Sequence, residues 1–134
     1  MKPGIFTTWL LKLSDAIEYR AHYKLANSCM QQGDLTTAIA SYNKAIELKP
    51  NLANVHNNLG NALMQQGDLT AAITCFNSAI KLKPDFADAY NNLGVAQECK
   101  EDLIAAKDSY ISALNIKSNF PDATFNLCTL TLLN

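Results

Sequence analysis

Asn58, Asn92 and Asn126 recur at a spacing of 34 residues, and Lys24 holds the same place one period earlier. A carboxamide carries an acceptor and two donors, so a row of them can bond the N–H and C=O groups of an extended polypeptide whatever its side chains. More carboxamides lie beside the row: Asn27, Asn57, Asn61, Gln65 and Asn91. Each bond contributes about 1 kcal/mol net, so this chemistry binds a partner only when several act in series.

Other chemistry is sparse. His22 and His56 also stand one period apart, but the third period has Tyr90 there, which points to packing rather than a metal site. Cys29, Cys75, Cys99 and Cys128 are far apart with no C-x-x-C pair. That is the pattern of reduced, mostly structural thiols in a cytoplasm-like compartment rather than of a zinc site or redox dithiol. Cys128 falls in register with Gly60 and Gly94, so it is expected in the core. No nucleophile elbow, phosphate loop, zinc-binding helix or dinucleotide fingerprint is present, and neither catalysis nor a cofactor is expected. Eleven basic and twelve acidic residues are spread without blocks, which gives no electrostatic case for nucleic acid or an anionic membrane.

The elements that must align these amides follow from the same period. A shift of 34 superimposes Leu25, Leu59, Leu93 and Leu127, then Ala38, Ala72 and Ala106, then Tyr42, Phe76 and Tyr110. Three units result, 19–52, 53–86 and 87–120, with the first half of a fourth over 121–134. Within a unit the apolar residues recur twice at helical spacing, as in Leu59, Ala62, Leu63 and then Ala72, Phe76, Ala79, so each unit is a helical hairpin. Gly33-Asp34 and Gly67-Asp68 fit a left-handed helix end followed by a capping carboxylate. Pro50-Asn51 and Pro84-Asp85 stop the second helices, and Asn51 and Asp85 are expected to cap the helices that follow. Such hairpins cannot bury both faces alone, so the predicted fold is all-α, a right-handed solenoid of stacked antiparallel helix pairs with a concave inner surface.

Leu59-Gly60, Gly67-Asp68, Ala72, Phe76, Ala79 and Pro84 resemble the signature of the tetratricopeptide repeat family, and the resemblance covers about three quarters of the chain. Unit three departs at Glu101, where Gly is expected, and at Ser118, where Pro is expected. The turn at Glu101 is either left-handed at a cost of about 1 kcal/mol or rebuilt. The resemblance implies that the first helix of each unit lines the groove. It thereby makes Lys24, Asn27, Asn57, Asn58, Asn61, Gln65, Asn91, Asn92 and Asn126 candidate peptide contacts. It also offers a structural role for the asparagines, bonding within the groove wall.

Family members that hold chaperone tails use a carboxylate clamp, whose two asparagines are matched by Asn27 and Asn58. Its three cations are replaced by Tyr23, Asp88 and Asn92, which argues against that ligand. The asparagine row resembles more closely the repeat superhelix of O-linked N-acetylglucosamine transferases, although no transferase domain is present here.

The ends are less regular. Residues 1–18, with Phe6, Trp9, Leu10, Leu13 and Ile17, are expected to form a helix that caps the first hairpin, the alternative being a helix for a membrane or partner. The apolar end, with Leu130, Leu132 and Leu133, implies a polypeptide that continues beyond it or self-association through the last helix. The expected function is a non-catalytic scaffold that binds an extended peptide in the groove. Self-assembly, or recruitment of substrate for a larger enzyme such as a glycosyltransferase, is the alternative.

Overall fold

Gly33 and Gly67 close the first helices of two units in the left-handed region, with φ of 78° and 95°. The Asp34, Asp68 and Asp102 carboxylates then accept the backbone N–H of Thr37, Ala71 and Ala105 at the start of each second helix. Punctuated in this way, the computed structural model, which describes residues 4–132, consists of seven helices. These are α1 (Ile5–Gln32), α2 (Leu35–Leu48), α3 (Ala53–Gln66), α4 (Leu69–Leu82), α5 (Ala87–Cys99), α6 (Leu103–Ile116) and α7 (Pro121–Leu132). Consecutive helices pack on one another, and α3, α5 and α7 also touch in sequence. The odd-numbered helices therefore form one layer and the even-numbered helices another.

The core lies between the layers. Tyr42, Phe76 and Tyr110 are fully buried, each in an even-numbered helix. Room for them comes from the facing helix, where a Cβ on Gly60 would stand 2.5 Å from the Phe76 ring and one on Gly94 equally close to Tyr110. Leu59 and Leu93 seal the contact with the preceding unit.

The structure decides between the two alternatives for the third turn and corrects several other expectations. Glu101 takes the left-handed conformation, with φ of 65°, so the third turn keeps its shape instead of being rebuilt. Asn51 and Asp85 do not cap helices: α3 and α5 begin one residue later than that role requires, at N-caps Leu52 and Phe86. Packing decides the matter, because Phe86 and its equivalent Phe120 are buried between units, each under a lysine, Lys83 and Lys117.

Residues 5–18 form no separate cap but the first half of α1, in which Ile5, Phe6, Trp9, Leu10, Leu13 and Ile17 are all exposed. The stripe continues to Leu25, which is 49% exposed whereas Leu59 is 5% exposed, since no earlier hairpin lies against α1 among the described residues. At the other end Leu130 is buried against Ala106 and Tyr110 while Leu132 is exposed. Leu133 and Asn134, like Met1–Pro3 of the N-terminal segment, lie outside the described residues. Cys128 is exposed rather than core, because among the described residues no helix follows α7 to pack over it as α4 packs over Gly60.

Candidate functional site

One stripe of each odd-numbered helix carries most of the candidate contacts. Residues spaced by four, three and four share a side of a helix. In α1 they are Arg20, Lys24, Asn27 and Gln31; in α3, Asn54, Asn58, Asn61 and Gln65; in α5, Asp88, Asn92, Val95 and Cys99; in α7, Asp122, Asn126 and Thr129.

Hydrogen bonds tie the stripes edge to edge. Asn92 Nδ2 donates to Asn57 Oδ1 at 3.0 Å, and Asn126 Nδ2 donates to Asn91 Oδ1 at 3.1 Å. Asn58 Nδ2 donates to Tyr23 Oη at 3.1 Å and to Asn27 Oδ1 at 3.4 Å, and Asn27 Oδ1 also accepts from Tyr42 Oη at 2.6 Å. Burial, with Tyr23 and Cys29 adding to it, pushes the Tyr42 phenol up to about 12, so it remains a donor at neutral pH. In the third unit Tyr110 Oη donates to Glu98 at 2.8 Å instead, and burial followed by that bond raises its phenol further.

These bonds sort the candidates. Asn57 and Asn91 are each 7% exposed with their oxygens engaged, so they build the wall instead of facing a ligand. Asn58, Asn92 and Asn126 are half-buried and spend Nδ2 hydrogens on the wall, but among the described residues no donor reaches their Oδ1 atoms. Asn61 is half-buried and has no hydrogen-bond partner at all among the described residues, and the same holds for exposed Lys24 and Gln65. Asn27, Asn58 and Asn61 meet Met30, Gln31 and Tyr42 around an open pocket of about 330 Å³. Tyr42, which anchors Asn27 there, was legible only as a packing residue, and Tyr23, which anchors Asn58, only as the replacement of a clamp cation.

A His56 ring nitrogen lies 2.8 Å from the Pro50 carbonyl oxygen, a local tie across the turn. The Cys75 thiol is pushed up to about 11 by burial and then by Asp68, which makes it a poor nucleophile. Among the described residues no group of His, Cys, Asp and Glu is arranged to hold a metal ion, and no helix is long and apolar enough to cross a membrane.

No curated protein matches the chain. Among solved structures, the first TPR of Spaghetti (RPAP3) bound to the HSP90 peptide SRMEEVD superimposes with a TM-score of 0.84 at 23% identity, over 87% of this chain and 92% of that one. The TPR2B domain of yeast Sti1, in a complex with pHsp70, gives 0.84 at 18% identity over 88% and 99%. The Arabidopsis OM64 TPR domain gives 0.87 at 18% identity over 90% and 99%. At these identities the likeness is one of fold. The TPR repeat profile matches residues 26–67 and 60–98, more than half of the sequence. With seven helices paired and turned at that period, the chain belongs to the tetratricopeptide repeat family.

Proposed function

We propose that the chain is a non-catalytic interaction module that binds an extended polypeptide segment along the inner face of α1, α3, α5 and α7. Asn61 and the free oxygens of Asn58, Asn92 and Asn126 bond the backbone of the segment, with Lys24, Asn27 and Gln65 beside them. The observation that carries this reading is Asn61: a half-buried carboxamide on the pocket wall with all its hydrogen-bonding capacity unspent. Neighbouring folds recorded with chaperone-derived peptides support a groove of this shape as a polypeptide site. They do not transfer their ligand, because Asp88 stands exposed where a clamp needs a cation and would repel a terminal carboxylate.

The test is selection of random peptides on the immobilised protein by phage display, followed by titration of the selected peptides against variants. Asn58→Ala with Asn61→Ala removes two bonding sites of about 1 kcal/mol each and is expected to weaken binding at least tenfold. The same change at Asn43 and Asn77, on the exposed side of α2 and α4, is expected to leave it unaltered. Equal affinity for both pairs of variants, with circular dichroism showing both folded, contradicts the proposal.

A further inference from the structure

The inner face is not uniform along the stack. At the first place of the stripe the residues read Arg20, Asn54, Asp88, Asp122, and at the second Lys24, Asn58, Asn92, Asn126. A third inner place, Met30 and Met64 in the first two units, becomes Glu98 in the third. Two cations thus sit at the α1 end, none of either sign at α3, and three carboxylates at the α5 and α7 end.

Arg20, Lys24, Asp88 and Asp122 are exposed, and none has an ion-pair partner within 4 Å among the described residues, where the recorded pair is Lys44 with Glu47. Lys49, Lys83 and Lys117 recur at one position of all three units, on the rings of Tyr19, Phe86 and Phe120, so they add a constant and no gradient. Lys100 is turned away to the Thr70 hydroxyl, 2.9 Å distant. The two signs nearly cancel along the face, which is why the net charge of −1 conceals the order.

We infer that the groove selects segments of opposite charge at their two ends and fixes their direction, with the acidic end at Arg20 and Lys24 and the basic end at Asp88, Glu98 and Asp122. This rests on the groove being the polypeptide site. Neighbouring helix axes lie about 8–10 Å apart, so α1 and α7 are separated by roughly 30 Å, the length of about nine extended residues. That exceeds the Debye length of about 8 Å at physiological ionic strength, so each end of the groove reads the nearest part of the ligand independently. A uniformly acidic or basic segment gains at one end and is repelled at the other.

The test uses the peptides selected by display, synthesised together with versions of identical composition in which the charged residues are scrambled. Ordered peptides are expected to bind at least tenfold more tightly than scrambled ones at low salt, with the difference shrinking as salt rises. Arg20→Asn with Lys24→Asn gives α1 the asparagines that α3 already carries at those places, and it is expected to abolish discrimination at the acidic end alone. Asp88→Asn with Asp122→Asn is expected to reduce it at the basic end, where Glu98 remains. A photo-crosslinking residue beside the acidic end is expected to label α1, and one beside the basic end α5 or α7. Equal binding of ordered and scrambled peptides, or labelling at the opposite ends, overturns the inference while leaving the groove a polypeptide site. Selected peptides whose affinity ignores both Asn58 and Asn61 overturn the groove reading and this inference with it.

Discussion

Glu101 holds a left-handed backbone that glycine holds in the two preceding units, at Gly33 and Gly67. Its N–H donates to the Glu98 carbonyl and the Asp102 N–H to that of Gln97, so the turn is retained at the expense of steric strain on the Glu101 Cβ. Glu101→Gly is therefore expected to stabilise the chain by about 1 kcal/mol in urea unfolding, and an unchanged or lower midpoint contradicts that account. Asparagine at this scale has two jobs that share a side-chain type. Asn57 and Asn91 are acceptors inside the wall, while Asn61 faces the pocket unengaged. Sequence spacing placed all of them on inner helices but could not divide them, because adjacent residues such as Asn57 and Asn58 differ by about 100° of helix rotation and only the facing unit decides which is covered.

At the scale of elements, the hairpins were legible because their signals are local: helical periodicity, Gly-Asp turns and a proline stop. The N-cap positions were not, since Phe86 is buried and Leu52 partly buried against neighbouring helices, a long-range effect that overrides the capping preference of Asn51 and Asp85. The role of residues 5–18 was equally hidden, because an apolar stripe does not reveal whether anything lies against it. In the structure α1 continues past the end of α2, and Trp9, the sole tryptophan, is 57% exposed. Trp9 emission is expected to be that of a largely exposed tryptophan and to be quenched readily by acrylamide in dilute protein. Blue-shifted emission that persists on dilution contradicts an uncovered α1, and a blue shift that appears only on concentration would favour assembly through this stripe over an idle one.

Across the whole molecule, stacking converts a 34-residue period into a shared surface, with each unit held by its own hairpin packing and by the interface with the next. The charge that argued against nucleic acid and membrane was read as a total and along the chain, and neither shows that cations and carboxylates fall at opposite ends of one helical stripe. That order emerges only when Arg20, Asn54, Asp88 and Asp122 are set side by side. The central claim is that this face, rather than the outer helices or the ends, meets a polypeptide. It is tested most directly by following the side-chain amide resonances of all asparagines by NMR while a display-selected peptide is titrated in. Shifts confined to the inner amides, largest at Asn61 and Asn58, with Asn43 and Asn77 unmoved, are the expected result. Shifts at Asn43 and Asn77, or on the uncovered side of α1, with Asn58 and Asn61 still, would contradict it.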